Sequence, residues 1–286
     1  MTARGLSKEI VAPSRALNQA HGKTYYLATL LLPRELRPYV FALYGFCRYV
    51  DDIVDVERED DTRRLAKVAS FGERFFAEVA RGTSDEPILA ATIATIDRFD
   101  MPLSYFERFL GSMRQDFLIR SYRHIDDLLD YMDGSAAVIG EMMLPILGAD
   151  DPGARAPARA LGNAFQMTNF LRDINEDLDR GRVYVPEEDI DRFRAWDAFE
   201  QRRVTDGFRE LMAFEIARTR RWYAASLAGD DFLRGRALRC IRVARRVYGA
   251  ILDEIEALDY DVFSARASVA RTRRVRLLLQ AAVAGS

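Results

Sequence analysis

Two acidic stretches carry the residues best suited to chemistry. One reads Tyr44-Gly-Phe-Cys-Arg48-Tyr-Val-Asp51-Asp52-Ile-Val-Asp55, and the other Gln166-Met-Thr-Asn169-Phe-Leu-Arg172-Asp173-Ile-Asn-Glu176-Asp177. Each places two aspartates at i and i+4, Asp51 with Asp55 and Asp173 with Asp177, shortly after an arginine. On a helix such positions share a face, and like charges there destabilise it. A hard cation would offset the repulsion. Mg²⁺ takes a few carboxylates and completes its shell with water and substrate phosphates. Arg48 and Arg172 add the forked donors that suit phosphate oxygens. These types and spacings point to a diphosphate held through Mg²⁺ between two facing helices. In a chain with 44 acidic residues a single aspartate pair is as easily a solvated face. The second stretch is more specific, because Asn169, Arg172, Asp173 and Asp177 share one helical stripe or its edge.

The elements that must position these residues are helices. The apolar period is helical nearly everywhere, and alternating β-branched runs between turn residues are missing. The pattern predicts helices near 14–31, 35–57, 61–80, 86–98, 103–118, 124–147, 154–179, 198–228, 231–258 and 264–283. Punctuation agrees: Pro33 and Pro38 bracket the second start, Gly82 to Pro87 is a loop, Gly148 to Gly153 separates two helices, Gly181 closes another, and Pro186 starts a short one. Phe41, Leu43, Phe46 and Val50 flank the first acidic stretch, and Phe165, Phe170 and Leu171 the second. Those faces must be buried, leaving the acidic faces toward something wet or charged. In helical bundles ligand sites form in the core between facing helices. The reading is one all-α domain over 1–286, a helical bundle around a central cavity with Mg²⁺ at one end and apolar walls below.

Composition is that of an ordinary globular protein: 286 residues, 49% hydrophobic and 30% charged. A net charge of −2 implies no global electrostatic pull toward nucleic acid or an anionic membrane, and no nucleic-acid partner is expected. Cys47 and Cys240 sit in apolar helical patterns and form no disulfide framework, which favours a reducing cytoplasm. Residues 1–20 lack the apolar core of a signal peptide, and no apolar run is long enough to span a membrane.

Other features read two ways from their residues alone. His21-Gly22-Lys23-Thr24-Tyr25-Tyr26 is a polar-aromatic cluster that reads as a helix start or loop. Ala136, Ala137 and Gly140 beside Tyr131 suit close helix packing or room for a long ligand. Arg266 and Arg274, two turns apart on the last expected helix, read by spacing as a solvated face.

At the two acidic stretches the chain resembles the squalene/phytoene synthase family, bacterial phytoene synthases most of all. Tyr44 to Asp55 looks like that family's first aspartate-rich signature. Gln166 to Asp177, with the trailing Asp179-Arg180-Gly181-Arg182-Val183-Tyr184-Val185-Pro186, looks like its second. The likeness continues through His21-Gly-Lys23-Thr-Tyr25, Tyr131 to Gly140, Tyr248, Arg266 and Arg274, with Ala137 where the family often has glycine.

The resemblance implies a single-domain fold of the isoprenoid synthase type. It implies that Asp51, Asp55, Asn169, Asp173 and Asp177 hold Mg²⁺, with Mn²⁺ as the alternative ion. Arg48, Arg172, Arg266 and Arg274 would bind diphosphate oxygens. Tyr44, Tyr131, Gln166 and Tyr248 would line the reaction zone, and His21, Lys23 and Tyr25 would close over a diphosphate. Tyr44, Arg48, Tyr131, Arg172 and Tyr248 would be the catalytic set. The implied reaction is head-to-head condensation of two prenyl diphosphates, geranylgeranyl diphosphate to 15-cis-phytoene. Farnesyl diphosphate giving presqualene diphosphate or dehydrosqualene is the alternative; head-to-tail elongation and a non-catalytic assembly factor are remoter. No glycine-rich dinucleotide unit is visible, so no nicotinamide cofactor is expected. A hydrocarbon product leaves peripheral membrane contact open for an otherwise cytoplasmic protein.

Overall fold

Capping and breaking residues set the helix ends. The computed structural model describes residues 6–54, 60–270, 272–274 and 276–277. The Ser7 hydroxyl accepts the Ile10 N–H at 3.3 Å and opens α1 (Lys8–His21). Such a cap satisfies an amide that a helix start leaves without a partner. Gly22, at φ −106° and ψ 46°, breaks the run, and α2 (Lys23–Thr29) follows. The helix expected over 14–31 is therefore two helices, and it starts earlier. Beyond Pro33, Arg37 donates to the carbonyls of Leu30 and Leu32 at 2.6 and 3.0 Å, placing a cation where helix carbonyls accumulate. It also begins α3 (Arg37–Val54), which carries the first acidic stretch.

Residues with clear end signals behave as expected. α4 (Asp61–Arg81) stops at Gly82, whose φ of 73° suits glycine, and Pro87 opens α5 (Pro87–Phe99). α6 (Leu103–Gln115) follows. The helix expected over 124–147 is interrupted: α7 (Ile125–Met132) and α8 (Val138–Leu147) are joined by a π-turn over Asp133–Ala137. The helix expected over 154–179 also divides, into α9 (Arg155–Arg172) and α10 (Ile174–Asp179), at Asp173 with φ −104° and ψ 15°. The break is local, since the Asp177 N–H still reaches the Asp173 carbonyl at 2.9 Å. Pro186 precedes short α11 (Glu187–Arg192). α12 (Trp196–Gln201), α13 (Asp206–Ala225) and a 3₁₀ turn over Ser226–Phe232 replace the helix expected over 198–228. α14 (Gly235–Ala257) comes next. The expected helix over 264–283 is corrected, because residues 264–270 are not helical and Arg274 belongs to a helical stretch that starts after them. Among the described residues the β pairing is one parallel bridge, Ser121 with Val183.

Two apolar cores meet at α9 and α14. In the first, Phe46 of α3 is fully buried, its ring 4.7 Å from Phe75 of α4 and 5.3 Å from Phe106 of α6. In the second, Phe170 of α9 stacks on Tyr184 at 4.0 Å, near Leu211 and Met212 of α13. α14 serves both, giving Val243 and Val247 to the first core and Tyr248 and Ile251 to the second. Close approach of α8 and the π-turn to α9 requires glycine. A Cβ on Gly140 would lie 2.3 Å from the Ala158 carbonyl oxygen, and one on Gly162 2.5 Å from that of Ala136. The small residues after Tyr131 thus serve helix packing. Ala136 and Gly140 also border the central cavity, whereas Ala137 is packed in the core with no exposure.

Candidate active site

A cavity of about 920 Å³ runs through the bundle. Helical periodicity builds its walls. On α3, Val40, Leu43, Tyr44, Cys47, Arg48 and Asp51 face it; on α9, Pro157, Leu161, Phe165, Gln166 and Asn169 do. The α9 stripe is graded: apolar from Pro157 to Phe165, then polar from Gln166 to Asp173. At a rise of about 1.5 Å per residue, the step from Pro157 to Asn169 spans roughly 18 Å. The cavity is therefore long, polar at one end, and apolar toward Leu144, Leu147, Leu233 and Cys240. Its volume lies at the upper end of the ~300–1,000 Å³ usual for small-molecule pockets.

The expected site residues converge there. His21, Tyr25, Tyr44, Arg48, Asp51, Tyr131, Gln166, Asn169, Arg172, Asp173, Asp177, Tyr248, Arg266 and Arg274 all border this cavity. Asp55 and the Lys23 side chain lie outside what the structure describes. Arg266 does not share a helix with Arg274, and it is no solvated bystander. From a non-helical segment it donates to both Asp173 oxygens, Nε to Oδ1 at 2.8 Å and Nη2 to Oδ2 at 3.0 Å. Arg172 grips the same carboxylate, Nε to Oδ1 at 2.7 Å and Nη2 to Oδ2 at 2.6 Å. Arg274 donates to the Val269 carbonyl at 3.1 Å. Arg48 pairs with Asp52 of its own helix at 2.5 Å.

Aromatic rings cover the approach to this polar end. Tyr248 donates its hydroxyl to Asn169 Oδ1 at 2.8 Å, which orients the amide; the Asn169 Nδ2 then points to Gln166 Oε1 at 3.5 Å. The Tyr25 ring lies 5.0 Å from Tyr248, 5.6 Å from Phe165 and 6.5 Å from Tyr44. Burial pushes the hydroxyls of Tyr25, Tyr44 and Tyr131 above their ordinary range, so all three stay neutral. Neutral rings present faces that attract positive charge.

The carboxylates differ sharply. Burial pushes Asp173 up, but the Arg172 and Arg266 guanidiniums outweigh it and hold the group below the usual carboxylate range. At Asp177 the balance is reversed: burial, and next the Asp173 charge, push it up to about 8, against the lowering by Arg180 and Arg182. Asp177 also lies 3.9 Å from Arg180, a weak ion pair. A buried carboxyl so disfavoured as an anion is what a divalent cation would relieve. Asp51, Asn169, Asp173 and Asp177 are hard oxygen donors on one cavity, and they suit such an ion. Among the described residues no three His, Cys, Asp or Glu side chains gather into a metal cage.

Several cavity residues were not singled out as site residues from the sequence. Asp116 at the end of α6 accepts the Tyr184 hydroxyl at 3.1 Å, and its backbone carbonyl accepts from Arg182 at 3.4 Å. Arg182 and Tyr184 lie in the tail of the second acidic stretch, which was the available signal. Asp116 had none, since no second carboxylate lies three or four positions from it. Asn18 of α1 is fully buried on the cavity wall, and among the described residues both its amide atoms lack a partner.

Known proteins are similar to this chain. The squalene/phytoene synthase family profile matches residues 18–273. The phytoene synthase of Arthrospira platensis is 32% identical over 278 residues, 92% of this chain and 89% of that protein. The 15-cis-phytoene synthase of a Synechocystis species is 32% identical over 277 residues, covering 92% of this chain and 82% of that one. A crystal structure of a dehydrosqualene synthase in complex with ligand superposes with a TM-score of 0.89 at 25% identity, over 97% of this chain and 96% of the other.

Proposed function

The chain belongs to the squalene/phytoene synthase family of prenyl-transferring enzymes, and from that premise we propose that it joins two geranylgeranyl diphosphates head to head into 15-cis-phytoene, through prephytoene diphosphate. Dependence on a divalent metal is general in this family. The observation that carries the reading is the convergence of both acidic stretches on the polar end of one long, otherwise apolar cavity. A diphosphate fits the polar end and a prenyl chain fits the rest. The match over 18–273 supports a single catalytic domain.

In this reading Asp51, Asp55, Asn169, Asp173 and Asp177 would hold Mg²⁺, which would supply charge neutralisation for a departing diphosphate. Arg48, Arg172, Arg266 and Arg274 donate to diphosphate oxygens, with His21 and Lys23 closing over them. Loss of diphosphate from one substrate leaves an allylic cation. The double bond of the second attacks it, and proton loss gives the cyclopropylcarbinyl diphosphate. A second ionisation, rearrangement and proton loss complete phytoene. Tyr25, Tyr44, Tyr131, Phe165 and Tyr248 keep water from the cations and face them with aromatic rings. Gln166 and Tyr248 fix the Asn169 amide, and preorganised dipoles of this kind act without rearranging. Among the described residues no helix is long and apolar enough to cross a membrane. We place the enzyme in the cytoplasm, releasing its hydrocarbon by peripheral membrane contact.

The structural likeness to a dehydrosqualene synthase favours a second reading, with farnesyl diphosphate as substrate. Purified protein incubated with Mg²⁺ and each prenyl diphosphate separates them. Phytoene from the C20 substrate is expected. Presqualene diphosphate or dehydrosqualene from the C15 substrate alone transfers the assignment, and no product from either supports the assembly-factor alternative.

A further inference from the structure

The Asp173 carboxylate is saturated with hydrogen bonds from protein. Arg172 and Arg266 each give it a two-pronged grip, four guanidinium hydrogen bonds between 2.6 and 3.0 Å. An ionised carboxylate offers about four lone-pair sites on its two oxygens. Its accepting capacity is therefore spent. Any cation that ligates Asp173 must displace a guanidinium, against the repulsion of the charges already there.

The two arginines are not equally displaceable. Arg172 precedes Asp173 in the chain, ends α9, and its side chain is only 14% exposed. Arg266 reaches across 93 positions from a non-helical segment, with a side chain 54% exposed. Ala267 and Val269 are buried at 2% and 5%, so the backbone beside Arg266 is anchored while its long side chain can swing. Glu176, 3.3 Å away, offers it an alternative resting partner.

We propose that Arg266 is a positioning residue that latches Asp173 and couples metal binding to diphosphate binding. A diphosphate oxygen draws the guanidinium off Asp173, and the freed carboxylate then ligates the metal. The inference rests on the diphosphate reading of the site. Linkage requires that each ligand tighten the other by the same factor. A prenyl diphosphate would thus assemble the site around itself, and the metal alone would bind poorly.

Mn²⁺ binding followed by electron paramagnetic resonance tests this, with inorganic diphosphate as the anion and the Mn²⁺–diphosphate complex in solution counted separately. Wild-type protein should bind Mn²⁺ at least about tenfold more tightly when diphosphate saturates it, within the usual range of coupling between sites. Arg266→Ala should bind Mn²⁺ more tightly than wild type without diphosphate, and its coupling should shrink. Arg266→Lys keeps the charge and loses the fork, so its affinity without diphosphate should fall between the two. Lysine binding Mn²⁺ as weakly as wild type would reduce the effect to repulsion at a distance and overturn the latch. So would an alanine variant, shown to be folded by its melting curve, that binds Mn²⁺ no better than wild type. Intact coupling in wild-type protein that converts neither prenyl diphosphate would overturn the proposed reaction and leave the latch standing.

Discussion

Two arginine–carboxylate networks in this molecule lie in opposite surroundings. At the π-turn, Arg108 bonds both Asp133 oxygens at 2.7 Å and Glu141 at 2.7 Å, and Arg159 bonds the same two carboxylates at 2.5 and 2.9 Å. Arg155 stands 3.6 Å from Glu141, which is 3% exposed, and none of these five residues borders the cavity. At the polar end, Arg172 and Arg266 share Asp173, and all three border the cavity. The first network locks α6, the π-turn, α8 and α9 together. The second, in which Arg266 also lies 3.3 Å from Glu176, opens onto space where an anion fits. Buried arginine–carboxylate clusters therefore do not mark a site by themselves. What distinguishes the site is that its charged groups open onto a cavity.

The largest effect should come from the network at the cavity. Asp173→Asn keeps two polar atoms for Arg172 and Arg266 but removes the charge a metal needs. Turnover should fall by about 10³-fold or more, roughly 4 kcal/mol of barrier, while the melting temperature changes little. Plain alanine is a poorer test, because it strands the largely buried Arg172 guanidinium. Steady-state kinetics with a melting curve would show it, and retained turnover in Asp173→Asn would erase the distinction between the networks.

Glu141→Ala should reverse that pattern. Breaking a fully buried pair costs ~3–5 kcal/mol, and less is expected here, about 2–3 kcal/mol, because Arg108 and Arg159 keep some water contact. Denaturant unfolding reads this, and the protein that remains folded should turn over within a few-fold of wild type.

A third cluster sharpens the contrast by pH. Arg218 bonds Glu215 at 2.7 Å and Asp189 at 2.7 Å in the α13 core. Burial pushes Glu215 up to about 8, against the lowering by Arg218 and with a rise from Asp189. The folded state thus holds a proton that the unfolded chain releases near the ordinary glutamate range. Its stabilisation is full below that range and is lost as pH rises through 8. Relative to Glu215→Gln, wild type should lose on the order of 2 kcal/mol between pH 5 and 8.5. Parallel stability–pH curves for the two proteins would contradict this.

Arg48→Lys should lower kcat/KM by about tenfold with stability within ~0.5 kcal/mol, since the partly exposed pair with Asp52 contributes little. An unchanged kcat/KM would make Arg48 a partner of Asp52 only. The smallest change concerns Asn18, the converse of Asp173: its amide has no partner among the described residues, where Asp173 has too many. Asn18→Leu should raise stability by about 1 kcal/mol, because an unsatisfied buried polar group costs ~1–3 kcal/mol. A lower melting temperature would mean the amide is satisfied in solution.

Much of this was legible in the residues. α4, α5 and α14 follow their apolar stripes close to where the pattern puts them, with α4 stopping at Gly82 and α5 running from Pro87 to a cap at Asp100. The breaks were harder to see. Asp173 looks like any helix residue by periodicity, yet α9 stops there, where two guanidiniums hold its side chain. The π-turn is held by Arg108, Asp133, Glu141 and Arg159, which come from four elements, and no local window contains them.

The sequence by itself determined the helical class, the acidic stripes and the oxygen donors suited to Mg²⁺ and diphosphate, because helix periodicity and side-chain chemistry are local properties. Only the tertiary structure decided how the charges were allotted. Arg48 turned to Asp52 in its own helix, and Arg266 crossed the fold to Asp173. Asp116 joined the cavity through Tyr184, and Ala137 was packed out of it. Pairing between charges depends on distance in space, and residues 93 positions apart acquire a distance only when the bundle closes.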